Sequence, residues 1–180
     1  MDSQLQPPRR IITTHNDQGQ AVFSDAFPER AAQKKVDKGA VFALGYCTSS
    51  FPAELNGDKD IATYREYEAQ PPGLVISSGT VLRYVDIAPG VLSPMHRTVS
   101  LDYGIVLEGE IELVLDSGET RRMAVGDVAI QRGTMHAWKN VGSGWARMLY
   151  VLQPCNAVKT LDGTTLGEDY ADMEGVRAST

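Results

Sequence analysis

Three histidines are the side chains of this sequence best suited to proton transfer or metal binding, and their surroundings differ. His15 lies in a polar turn region, where we expect a solvated side chain. His96 and His136 each lie among glycines and β-forming residues. Because side chains alternate along a strand, His136 shares one face with Trp138. The two later histidines are therefore the candidates for a buried functional site.

Glycines and polar residues recur around these two histidines in two ordered patterns. The first contains Gly90, His96, Thr98, Asp102 and Gly109, and the second contains Gly126, Gln131, Gly133, His136 and Asn140. The patterns resemble the two motifs of the cupin superfamily, and the resemblance covers residues 80–153. It implies an all-β fold, a single cupin β-barrel of the jelly-roll (double-stranded β-helix) type. It also implies that His96, Asp102 and His136 converge inside that barrel.

In the resembled motifs, three histidines and one glutamate hold a metal ion. Here Thr98 stands at one histidine position and Asp102 at the glutamate position. The ligand set that remains is His96, Asp102 and His136, for which we expect one weakly bound divalent metal, Zn, Mn or Fe. Two imidazoles and a carboxylate are similar in composition to the ligands of non-haem iron sites. Alternatively no metal is required, and the same three residues act as base, acid and orienting group.

Three further residues are candidates for substrate binding, namely Thr98, Gly104 and Trp138. If the inward faces are those that the resemblance implies, Gly104 leaves room for a ligand and Trp138 forms an apolar wall. Purely structural interpretations stay open beside these. The two histidines could be core residues with satisfied hydrogen bonds, Asp102 a turn carboxylate, and Thr98 a packing residue.

Three functions are compatible with these residues. Residues 95–104 are similar to small single-domain cupins of fungal secondary-metabolite gene clusters. The first hypothesis is an enzyme of a biosynthetic pathway that moves protons on a small organic molecule, by decarboxylation, dehydration, isomerisation or cyclisation. The second is a metal-dependent oxidoreductase or dioxygenase with Fe(II) on the three ligands. The third is a non-catalytic small-molecule binding protein.

Composition restricts the partners further. A net charge of −6 with no Lys/Arg-rich run argues against nucleic acids and anionic membranes as partners. The barrel pocket that the resemblance implies predicts a small-molecule substrate. No basic start precedes an apolar stretch, and no run approaches the ~18 apolar residues of a membrane helix. Cys47 and Cys155 lack metal-site spacing and predict free thiols in a reducing compartment. We therefore expect a cytoplasmic protein.

Glycines and prolines at short intervals separate runs of β-forming residues, which is typical of a sandwich or barrel. We divide the chain into an N-terminal arm with connecting strands (1–72), the barrel (73–154) and a C-terminal tail (155–180). Within the arm we predict strands at 10–14 and 20–23 around a turn, a helix at 27–38, and a surface connection at 52–72. An arm that pairs with a neighbour's sheet edge predicts a homodimer, with Arg97 and Arg132 in surface or interface ion pairs.

Overall fold

The structure is a computed structural model that describes residues 3–36, 39–170, 177 and 179. These residues form one α-helix and short strands, which fall into an N-terminal, a central and a C-terminal group along the chain. The N-terminal elements are β1 (Thr13–His15), β2 (Ala21–Phe23), β3 (Gln33–Val36), β4 (Ala40–Cys47) and α1 (Lys59–Ala69). The central strands are β5 (Val81–Ile87), β6 (Ser100–Glu108), β7 (Ile111–Leu115), β8 (Thr120–Met123), β9 (Val128–Arg132), β10 (His136–Asn140) and β11 (Ala146–Pro154). The last two are β12 (Val158–Lys159) and β13 (Thr165–Leu166).

Two antiparallel sheets form the body of the protein. The larger has the strand order β3-β4-β5-β11-β6-β9, and the smaller has the order β10-β7-β8. One buried cluster joins them, with Val106 and Met148 from the larger sheet and Ile111 and Trp138 from the smaller. The chain passes from the larger to the smaller sheet at Gly109, whose φ of 79° lies in the left-handed region. The predicted all-β barrel is confirmed.

The N-terminal segment is joined to the barrel within the same chain. Strands β1 and β2 form the predicted hairpin, with Thr13 opposite Phe23. Strand β4 lies beside β5 in the large sheet, and β3 lies beside β4. The edge of β5 is therefore covered by the chain's own β4. The homodimer stays a prediction. The 1–72 and 73–154 segments contribute strands to the same sheet.

The helix prediction for residues 27–38 is wrong. Residues 33–36 form β3, which is held by pairing with β4, and positions 37 and 38 lie outside the described residues. The α-helix is α1, in the segment that we expected to be a surface connection. Only Ile61 and Tyr64 of α1 are buried, so its apolar stripe is too narrow to be recognised by periodicity. Packing on β4 stabilises α1: the Tyr64 ring lies 4.7 Å from the Tyr46 ring.

The tail begins as a small hairpin on the surface. Strand β12 pairs with β13, and Arg97 forms a backbone bridge with Asp169. Of the tail beyond residue 170, only 177 and 179 are among the described residues. Cys47 and Cys155 are both free thiols, as predicted. Within the described ranges, the chain has no helix of the length and apolarity needed to cross a membrane.

Candidate active site

Backbone pairing places His96 and His136 side by side. The N–H of each residue donates to the carbonyl oxygen of the other, at 2.9 Å in both directions. Two residues paired in this way carry their side chains on the same face. Their imidazole ring centroids are 4.4 Å apart, and the side chains are almost fully buried, with 7% of His96 and 3% of His136 exposed. The structure thus brings together the two histidines that the motifs identified.

The chain also fixes the orientation and protonation of both rings. Nδ1 of His96 lies 2.9 Å from the Pro94 carbonyl oxygen, and Nδ1 of His136 lies 2.9 Å from that of Thr134. A carbonyl oxygen can only accept, so each Nδ1 carries the proton and each Nε2 keeps its lone pair. Burial lowers the pKa of His96, which the Pro94 carbonyl partly opposes. Burial and the neighbouring His96 lower the pKa of His136 to about 3, so both rings are neutral at pH 7.

An aromatic wall continues from the histidines along the barrel interior. The Trp138 ring meets His136 edge-on, at 5.4 Å between centroids, and lies 5.5 Å from the Tyr150 ring. A Cβ atom placed on Gly104 would lie 3.1 Å from Tyr150 and 3.4 Å from Trp138. The space beside Gly104 is therefore filled by these rings, whereas the sequence suggested room for a ligand. Trp138 lines the interior as expected.

Asp102 lies on the inward face of β6 and is 4% exposed. Its Oδ2 accepts a hydrogen bond of 3.1 Å from the Thr98 hydroxyl, so Thr98 supports a carboxylate as well as packing. Burial raises the pKa of Asp102 to about 6, and the hydrogen bond from the Thr98 hydroxyl opposes part of that shift. The carboxyl group is therefore poised to gain or lose a proton near neutral pH.

Three buried oxygens on this side lack a hydrogen-bond partner among the described residues. They are Asp102 Oδ1, Ser100 Oγ and the Tyr150 hydroxyl. Burial, and then the nearby Asp102, raise the pKa of Tyr150 well above its usual value. Unsatisfied buried polar groups are uncommon and mark places where a polar ligand or water is bound. Sequence reasoning missed Ser100 and Tyr150. The alternation of β11, which places Tyr150 on the same face as Met148, was the available signal.

The donor set does not support the predicted three-ligand metal site. In the described part of the chain, no three His, Cys, Asp or Glu side chains come close enough together to hold one ion. His96 and His136 form a pair, while Asp102 is bonded to Thr98. Two imidazole nitrogens alone fall short of the three protein ligands typical of a catalytic metal. We therefore derive no step through a metal.

The remaining motif residues have structural roles. Asn140 is fully buried and donates to the carbonyl oxygens of Ile87 and Gly144, both at 2.8 Å. Arg97 donates to the Gly167 carbonyl oxygen at 2.7 Å and so holds the tail, while Arg132 ends the edge strand β9 with an exposed side chain. His15 lies on the exposed side of β1, away from the paired histidines.

Comparison with known proteins agrees with this architecture. The family model of the cupin domain matches residues 83–152 of this chain. Phomopsin biosynthesis cluster protein D of Diaporthe leptostromiformis is 44% identical over 91% of this chain and 87% of its own length. Oryzines biosynthesis cluster protein J of Aspergillus oryzae is 40% identical over 92% of both chains. The cupin-domain-containing oxidoreductase fogC of Aspergillus ruber is 45% identical over 89% of this chain and 82% of its own length.

A β-barrel with a paired histidine site and these two motifs defines a single-domain cupin. The chain belongs to the cupin superfamily, in one group with these fungal proteins. The resemblance seen in the sequence is confirmed.

Proposed function

We propose that this protein is an enzyme of a fungal-type biosynthetic pathway that catalyses proton transfer on a small carbonyl compound. The names of its relatives support the biosynthetic role, because two of those cited are called biosynthesis cluster proteins. The observation that carries the chemistry is the neutral histidine pair, whose Nδ1 protons are bound to backbone carbonyls. Such a pair presents preoriented lone pairs, which is what general base catalysis needs.

His96 is the residue that accepts the proton. It is the more exposed of the two rings, and its pKa is lowered by burial without the added charge effect that acts on His136. Its Nε2 takes a proton from a carbon next to the substrate carbonyl. The C–H bond breaks, and its electron pair moves to the carbonyl oxygen. His136 accepts a hydrogen bond and limits the pair to one added proton, because two adjacent cations repel.

The Asp102 side of the barrel supplies the donors. The Tyr150 hydroxyl stays protonated and has no described partner, so it is free to donate to the oxygen that becomes negative. The protonated fraction of Asp102, about one tenth at pH 7 for a pKa of about 6, returns a proton to the product. The proton taken by His96 then leaves to solvent and Asp102 takes one up, so that the site regains its starting state. Return to a different carbon gives an isomerisation, and protonation of a departing hydroxyl gives a dehydration. Titratable groups whose surroundings push their pKa values apart, as at the histidines and Asp102, are typical of acid–base sites.

An oxidoreductase is the second candidate, because relatives such as fogC carry that name. Such an enzyme would hold Fe(II) on the three ligands predicted from the sequence, His96, Asp102 and His136. Among the described residues no third metal-ligating side chain joins the histidine pair, which weighs against that ligand set.

The test is deuterium exchange followed by proton NMR in D₂O. The purified protein is incubated with a set of small cyclic and aromatic ketones and aldehydes whose uncatalysed exchange is slow. We expect exchange next to the carbonyl, reduced at least ~100-fold in His96→Ala, the scale of general base catalysis. His15→Ala is the matched control and keeps the full rate, because His15 lies on the exposed hairpin.

Two results would contradict the proposal. One is exchange that survives in His96→Ala. The other is oxygen consumption, measured with an oxygen electrode after Fe(II) addition, without any exchange activity, which would favour the oxidoreductase. Tight binding of a carbonyl compound with neither activity would favour the non-catalytic binding protein.

A further inference from the structure

A cavity lies between the N-terminal strands, the end of α1 and the barrel strand β5, and its lining includes neither His96 nor His136. Its volume is about 250 Å³. Its apolar walls come from Phe42 and Leu44 of β4 and from Pro71 and Pro72 after α1. Arg83, on β5, lines the same cavity. The cavity thus combines an apolar enclosure with one buried cation.

Arg83 is buried without a counter-charge among the described residues. Only 5% of it is exposed. One terminal nitrogen donates to the Gly73 carbonyl oxygen at 2.7 Å, and the guanidinium carbon lies 5.4 Å from the centre of the Phe42 ring. Burial lowers the pKa of Arg83 to about 10, which leaves the group charged at pH 7. A buried cation without a carboxylate is costly, and a bound anion offsets that cost.

The contrast with other arginines shows that the chain pairs buried arginines elsewhere. Arg147 binds Asp86 through two nitrogens, at 2.6 and 2.7 Å. Arg10 lies 3.8 Å from Glu68, the acidic residue in the cavity wall. Glu68 therefore forms an ion pair with Arg10. Among the described residues, the contacts of Arg83 are with neutral groups, the Gly73 carbonyl and the Phe42 ring.

Apart from Glu68, the charged side chains of the cavity wall are all positive. Lys34 and Arg177 line it together with Arg83, against the single carboxylate of Glu68. The chain as a whole carries a net charge of −6, so this concentration of cations runs against its average. A positive, apolar-walled enclosure attracts small anions and holds them away from water.

We propose that this cavity binds a small organic carboxylate, with the carboxylate on the Arg83 guanidinium and the apolar body against Phe42, Leu44 and Pro72. A planar guanidinium matches a carboxylate through two parallel hydrogen bonds. A volume of about 250 Å³ suits a body of one ring or a short chain. The lining residues of the cavity differ from those of the proposed proton-transfer site, and the proposal does not rest on that function.

The probes are benzoate and benzamide, which have the same shape and differ in charge. Isothermal titration calorimetry of the wild-type chain is expected to give at least tenfold tighter binding of benzoate. Arg83→Gln is expected to remove that preference. Arg121→Gln is the matched control, because Arg121 is an exposed arginine of β8, and it keeps the preference.

Nuclear Overhauser effects in the wild-type protein test the position without any substitution. We expect contacts between the benzoate ring protons and the side chains of Phe42 and Leu44. Failure of benzoate to bind, equal affinity for benzamide, ring contacts elsewhere, or an unchanged preference in folded Arg83→Gln would each overturn the proposal. None of these outcomes depends on the exchange activity assigned to His96.

Discussion

The histidine site and the Arg83 cavity use burial in opposite ways. Around His96 and His136, burial removes charge: both rings are neutral, and their Nδ1 protons are bound by the chain's own carbonyls. At Arg83 the charge persists in spite of burial, because a pKa lowered to about 10 still lies well above neutral pH. The guanidinium is held by the Gly73 carbonyl and the Phe42 ring. A neutral lone pair suits proton transfer, whereas a fixed cation suits the binding of an anion.

Tyr150 lies between the two regions. On one side it is opposite Arg83 of β5, and on the other it is opposite Gly104 of β6. Its ring contacts Trp138, which contacts His136. The two sites therefore share strands of one sheet. We expect them to fold as one unit, although one site is neutral and the other is charged.

The largest effect should come from Tyr64→Ala in α1. Tyr64 is fully buried, packs on Phe27 and Tyr46, and donates to the Leu44 carbonyl oxygen at 2.8 Å. We expect a loss of about 3–5 kcal/mol in the free energy of unfolding, as for other large buried aromatics. The measurement is urea unfolding followed by tryptophan fluorescence and circular dichroism.

Because β4 lies in the large sheet, we expect one transition by both probes in this variant. Tyr64→Phe is the control and should lose only about 1 kcal/mol, since it removes the hydroxyl alone. Two separate transitions would mean that the N-terminal segment unfolds independently. That result would contradict the claim that the two regions form one cooperative unit.

Asp102→Asn should stabilise the protein at alkaline pH. The folded pKa of about 6 lies above the unfolded value of about 3.9, so the wild-type chain loses stability as pH rises from about 4 to about 6. A pKa difference of about two corresponds to about 2–3 kcal/mol. We therefore expect the variant to be more stable at pH 8 by up to about that amount, with the gain disappearing below about pH 4. Thermal unfolding across pH 4–8 measures this, and a pH-independent difference would contradict the assignment.

His136→Gln should reduce the acid sensitivity of the fold. The folded pKa of about 3 lies below the unfolded value of about 6.5, so the wild-type chain loses stability as pH falls below 6.5. Between pH 7 and 5 we expect the variant to lose about 2 kcal/mol less than the wild type. His15→Ala, with its exposed position, controls for the loss of a histidine. The same acid dependence in all three proteins would show that His136 is not buried as a neutral ring.

The sequence predicted the barrel and the histidines well because local chemistry determines them. Glycines such as Gly109 are required where the backbone turns with positive φ, so their spacing marks the corners. The two histidines follow such corners at fixed intervals, and their pairing comes from strand alternation and the motif resemblance.

The parts that the sequence did not predict depend on contacts between distant residues. Helix α1 is stabilised through Tyr64 by packing on β4, and residues 33–36 are a strand because β4 pairs with them. Asp102 accepts a hydrogen bond from Thr98, and no three metal-ligating side chains come together among the described residues, which motif positions alone did not indicate. Arg83 alternates with Val81 and Val85 in β5, so it could have been recognised from the sequence as a charged residue on a face that is otherwise apolar.

Nitrogen-15 NMR of the histidine side chains tests the central claim most directly, and it needs no substrate. Spectra of uniformly labelled protein are recorded between pH 5 and 8, and the signals are assigned with His15→Ala, His96→Ala and His136→Ala. We predict that at pH 7 both His96 and His136 are neutral with the proton on Nδ1, and that His136 does not titrate in this range. A protonated ring at pH 7, or a proton on Nε2 of either residue, would contradict the neutral, preoriented pair on which the proposed function rests.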